Sequence, residues 1–90
     1  MISEAEFVVA SELGLHARPA GELAAMASKF SADIQVARAG SDDWVSGRSV
    51  LSLLSLAASH GTKLRVRAEG EDAVAAIRAL GELLSRPHAA

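Results

Sequence analysis

Ninety residues, half of them hydrophobic and 22% charged, bound one domain around one core and exclude a disordered chain. A net charge near −2 gives no electrostatic case for nucleic acid, and the lack of cysteine excludes a disulfide framework and a thiolate zinc site. The start "MISEAEF" shows no basic region followed by an apolar run, and no uncharged stretch approaches the ~20 residues of a membrane span, so residues 1–90 read as one cytoplasmic domain.

Segment 4–10, "EAEFVVA", is rich in β-formers and predicts a strand. Phe7 and Val9 share its inner face, and Glu4 and Glu6 lie outside. Segment 17–30 has a helical period, with Leu23, Met26, Ala27 and Phe30 as the apolar stripe. Gly21 inside it lowers helix propensity by roughly 1 kcal/mol relative to alanine. Segment 33–38, "DIQVAR", predicts a strand with Ile34 and Val36 on one face. A turn at 39–43 leads to a return strand at 44–48, where Trp44 reads as strand packing.

Segment 49–61 begins at Ser49, a good helix N-cap, and His60-Gly61 reads as a helix exit. Val50, Leu51, Leu53, Leu54 and Leu56 are too many apolar residues for one narrow stripe. Burying Leu53 and Leu56 leaves Val50, Leu51 and Leu54 partly exposed, either as imperfect patterning or as a partner surface. Segment 62–69, "TKLRVRAE", alternates strictly: Leu64, Val66 and Ala68 one way, and Lys63, Arg65, Arg67 and Glu69 the other. Such alternation belongs to a sheet with one buried and one wet face. Segment 71–86 is a second long helix that buries Ala73, Val74, Ile77, Leu80 and Leu84. Glu71 and Asp72 suit its positive N-terminal end, Arg86 suits the other end, and Pro87 stops it.

The order β-α-β-β-α-β plus a closing helix predicts an α+β open-faced sandwich, a four-stranded antiparallel sheet with three helices on one face. Fold alone does not assign function, so the residues at the first helix start decide.

That start reads "GLHARPAG", residues 14–21. Gly14 permits a close approach, and Pro19 fits the first turn, where backbone N–H groups have no partner within the helix. The N–H groups of Ala17 and Arg18 then form an anion site at the positive helix end. Arg18 adds a forked cation suited to phosphate. A positive helix end disfavours an imidazolium beside it, and a neutral imidazole is a nucleophile. His16 is therefore either a solvated loop residue or a nucleophile facing a seat for the phosphoryl group it receives. His60 and His88 are not at ligand spacing from His16, no acidic cluster joins it, and no Ser-His-Asp or paired-carboxylate arrangement is readable, so no metal is expected.

"GLHARPAGELAAMASKF" closely resembles the active-site segment and first helix of the HPr family, the histidine-containing phosphocarriers of the bacterial phosphotransferase system. The resemblance continues through "SGRSVLSLLSLAASHGTKLRVRAEGEDAVAAIRALGELLS" and covers essentially the whole chain. It implies that His16 carries the phosphoryl group on Nδ1, that Arg18 attends it and that Pro19 opens the first helix. It implies that Ser49 is a regulatory serine, phosphorylated in some bacterial groups by an HPr kinase/phosphorylase, while capping explains the same residue independently. Gly47 would loosen the approach to Ser49. Val50, Leu51 and Leu54 match the patch that docks on enzyme I and on permease IIA-type acceptors. The expectation is a monomeric phosphoryl carrier rather than an independent enzyme, with no bound cofactor and no membrane insertion. Two other readings stand beside it: a regulatory module of the same fold acting through a kinase or transcription regulator, and a small-ligand-binding α+β domain, which would need a deep pocket.

Overall fold

The structure, a computed structural model, describes residues 1–87, so His88 lies outside the described residues. Its elements are β1 Ile2–Val8, α1 Ala17–Ala27, β2 Asp33–Arg38, β3 Val45–Ser46, α2 Val50–Ser55, β4 Lys63–Glu69 and α3 Ala73–Leu84. The four strands form one antiparallel sheet in the order β1-β4-β2-β3. Val66 pairs with Ala5 on one side and Val36 on the other, which fixes the register of the three long strands.

The alternation along β4 makes the sheet two-faced. Leu64, Val66 and Ala68 are fully buried, and Ile34 and Val36 join them from β2. α1 and α3 pack together over this face, and α2 lies against α1 and β3. The other face is wet. There Arg65 donates from Nε and Nη2 to Glu4 Oε2 at 3.1 and 2.9 Å, and its guanidinium stacks over Trp44, 4.7 Å from the ring centroid. Trp44 therefore packs on the open face beside β3 rather than inside a longer strand. The return strand predicted at 44–48 is only Val45–Ser46.

Several boundaries move for readable reasons. β1 runs two residues earlier than predicted, with Phe7 turned inward and Val8 exposed, and buried Val9 follows the strand. α1 stops at Ala27, and its buried stripe is Pro19, Ala20, Leu23, Ala24 and Ala27. Met26 and Phe30, expected in that stripe, are half-buried at its side. The small side chains lie beneath the helix because they let it sit close to its neighbours. In α3, Ala76 takes the buried place expected for Val74, which is 49% exposed. A helix beginning at Ala73 puts 73, 76, 77, 80 and 84 on one stripe and turns 74 about 100° away.

Asp72 precedes α3 as its N-cap residue but makes no capping bond to that helix. Its carboxylate instead accepts from the N–H groups of Ser31 and Ala32, both at 2.8 Å, and from the Ser31 hydroxyl at 3.3 Å. Arg48 Nη2 holds the same turn from its carbonyl side, donating to Phe30 O at 2.6 Å and Ala32 O at 2.9 Å. The predicted helix exit at His60-Gly61 is also corrected. α2 ends with Leu56 as its C-cap, and Ala57 follows in the left-handed region at φ 51°. A Cβ in that region costs about 1–2 kcal/mol. His60 and Gly61 belong to the turn that enters β4.

Candidate functional site

His16 is the N-cap residue of α1, with extended backbone at φ −82° and ψ −173°. Its carbonyl accepts the first helical bond, from Ala20 N–H at 3.0 Å. Its side chain makes no capping bond. Ala17 and Arg18 occupy the first two helical positions, and among the described residues no acceptor takes their N–H groups. Pro19 has no N–H to satisfy. The first turn therefore offers two bare donors at the positive end of an eleven-residue helix.

The imidazole is half-buried, and its Nε2 is enclosed without a hydrogen-bond partner. Nδ1 is not enclosed in this way. Arg18 is exposed, and no hydrogen bond or ion pair ties its guanidinium among the described residues. The bare donors and the untied guanidinium follow His16 directly in the chain, and both are donor types suited to a tetrahedral anion.

The loop before His16 is held closely. Gly14 adopts φ 74°, and a Cβ there would run into the Ala58 carbonyl oxygen and come within 2.7 Å of Ser59 Cα. Only glycine combines that dihedral with that approach. Leu15 N–H then donates to Ala58 O at 2.8 Å, and Leu15 is buried. Segment 57–62 is thus the floor on which the His16 loop rests. That floor is tied in turn to the sheet's entry, since Val9 N–H donates to Thr62 O and Gly61 N–H to Val9 O, each at 2.9 Å.

α2 brings the second group of predicted residues. Ser49 is its N-cap, and the Ser49 hydroxyl accepts from Ser52 N–H at 3.2 Å. Leu53 and Leu56 are buried, as expected. Leu51 is 80% exposed and Val50 37%, while Leu54 is half-buried against the core. Gly47 does not loosen the approach to Ser49. It is buried, its N–H donates to Ile34 O at 2.9 Å, and a Cβ would come within 2.6 Å of Ile34 Cγ2. This tight seat fixes the path into α2.

Sequence reasoning missed two things at this site. Leu13, 60% exposed, stands three positions before His16, and the signal was an apolar residue in an otherwise polar turn. Ala58 supports the loop through its backbone, which leaves no mark on side-chain identity. No group of three or more His, Cys, Asp or Glu among the described residues could hold a metal ion. No helix among them is long and apolar enough to cross a membrane.

Comparison with known proteins bears on this geometry. The family model described as "PTS HPr component phosphorylation site" matches residues 3–86. The phosphocarrier protein HPr of Haloferax volcanii is 45% identical over 86 residues, covering 96% of this chain and 97% of its own. That of Xylella fastidiosa strain 9a5c is 41% identical over 80 residues, covering 89% of this chain and 88% of its own. Among solved structures, the HPr of Bacillus anthracis str. Ames superposes with a TM-score of 0.85 at 31% identity, covering 92% of this chain and 96% of that one.

Proposed function

From the premise that this chain belongs to the HPr family of phosphocarrier proteins, we propose that His16 is its phosphoryl acceptor, through Nδ1. The observation that carries the reading is the asymmetry of the imidazole. Nε2 is enclosed without a partner, which favours attack through the other nitrogen, Nδ1.

The donor is phospho-enzyme I, charged by phosphoenolpyruvate. The N–P bond on the donor breaks as the Nδ1–P bond on His16 forms, and the donor nitrogen recovers its electron pair. The Ala17 and Arg18 N–H groups and the Arg18 guanidinium take up the charge of the transferred oxygens. The two N–H groups are held by the helix itself, so they need little reorganisation at the moment of transfer. The reverse step passes the group to a histidine on a IIA-type acceptor. Val50, Leu51 and Leu54 form the apolar docking patch, and Ser49 at its edge is the regulatory serine, the substrate of an HPr kinase/phosphorylase. The chain acts as a monomeric cytoplasmic carrier, a single HPr-like unit, and not as an independent catalyst.

The test is incubation with phosphoenolpyruvate and purified enzyme I, read by intact mass. One added phosphoryl group is expected, labile in acid and stable in base, and absent from His16→Ala. Acid-stable label, or label persisting in His16→Ala, would overturn the assignment.

A further inference from the structure

Arg38 ends β2 and reaches across to α2. Its Nη1 donates to Leu56 O at 3.1 Å and to Ala57 O at 3.2 Å. Leu56 is the C-cap of α2, so the guanidinium holds carbonyls at the negative end of that helix. Ala57 is also the one non-glycine among the described residues with positive φ. Nothing in its own side chain favours that conformation, so the surroundings must impose it. The next carbonyl, that of Ala58, accepts from Leu15 N–H, and Leu15 precedes His16. A continuous path of bonds therefore runs from Arg38 through Ala57 and Ala58 to the phosphoryl acceptor.

We propose that Arg38 is a positioning residue for phosphoryl transfer, bracing Ala57 in its left-handed conformation so that Ala58 O meets Leu15 N–H and His16 is held. The proposal rests on the reading of His16 as acceptor. Arg38 acts at the end of α2, whereas exposed Val50 and Leu51 lie in its first turn, and Leu54, the patch residue in its last turn, is half-buried against the core. Losing the brace therefore alters the rate of transfer at His16 more than the docking of a partner.

Amide hydrogen exchange on the unphosphorylated chain tests the brace with no partner present. In Arg38→Ala, Leu15 N–H exchanges roughly tenfold faster, while Val66 in β4 and Leu80 in α3 keep their rates. In the double variant Arg38→Ala with Ala57→Gly, Leu15 returns close to its original rate, because glycine rests in the left-handed region unaided. Transfer from phospho-enzyme I follows the same order. The kcat falls about tenfold in the single variant and recovers in the double one, while KM for the carrier changes much less. Unchanged exchange at Leu15 in Arg38→Ala, acceleration spread over the whole chain, or no recovery in the double variant overturns the proposal. A chain that takes no phosphoryl group on His16 overturns the carrier reading instead and leaves the exchange comparison to decide the brace.

Discussion

Helices α1 and α2 begin in opposite ways. At α2 the Ser49 hydroxyl accepts from Ser52 N–H, so one donor of the first turn is satisfied by the chain itself. At α1 the N-cap is His16, whose side chain turns no acceptor on the helix, and the Ala17 and Arg18 donors stay bare. Bare donors at a helix start forgo stability that a serine would supply. The loss leaves room for an anion brought from outside. One helix end is closed by its own side chain, and the other, where the proposed chemistry lies, is left open. The same serine that closes α2 is the proposed site where a phosphate could later be added.

The comparison breaks most sharply at Arg18. Arg18→Ala should fold normally and slow phosphoryl transfer on the order of 10–1000-fold, the scale of losing a charge stabiliser. Stopped-flow or quench kinetics with phospho-enzyme I reads the effect. An unchanged rate in both directions would make the arginine a surface charge.

Removing one bare donor sharpens the same contrast. Ala17→Pro deletes the N–H at the first helical position, where proline is well tolerated. His16 already has the extended backbone that a residue before proline prefers. Transfer should slow by about ten- to a hundredfold, because the Arg18 N–H remains. The circular dichroism spectrum should not change. Full transfer activity in this variant would remove the main chain from the anion seat.

At α2 the effects are smaller. Ser49→Ala should cost about 1 kcal/mol in denaturant unfolding, through loss of the cap. Phosphorylated Ser49 should keep the fold, since phosphate suits a helix start, yet slow transfer to His16. The added charge of about −1.5 to −2 would lie beside exposed Val50 and Leu51. Ser49→Asp carries less charge and should show a partial effect. Equal rates for phosphorylated and unmodified protein would reduce Ser49 to a cap.

The third helix start tests where an acidic N-cap residue sends its carboxylate. Asp72 is held below its ordinary value of 3.8 chiefly by the Ser31 N–H, with the Ala32 N–H and the Ser31 hydroxyl adding to it against the effect of burial. A lowered folded value means that its contribution is present above 3.8 and is lost as pH falls through the lower value. Thermal midpoints measured from neutral to acid pH should fall at the acid end. Asp72→Asn should be less stable at neutral pH and show a flatter profile. An identical profile in the variant would assign the acid sensitivity elsewhere.

What could be read from the sequence was what depends on near neighbours. β4 was legible because Lys63, Arg65 and Arg67 alternate with Leu64, Val66 and Ala68, which leaves one register. The α1 start was legible because His16, Arg18 and Pro19 lie within one turn. The buried stripe of α1 was misread because alanine fits either side of a helix, and bulkier Met26 and Phe30 drew the period toward themselves. The β1 boundary slipped because consecutive Val8 and Val9 fit either face. Contacts between distant segments left no local trace. Asp72 serves residues some forty positions away, and Arg38 reaches carbonyls eighteen and nineteen positions on. The left-handed Ala57 was hidden too, since alanine rarely marks such a place.

Part of the proposed phosphoryl seat at α1 consists of peptide N–H groups, not side chains. A peptide N–H does not titrate in the range where side chains change charge, and every amino acid except proline supplies one. Residue 17 can therefore drift in identity without erasing that part of the seat. The vulnerability lies in where the helix begins. A slip of one residue at its start would leave each side chain intact and aim the donors at the wrong place.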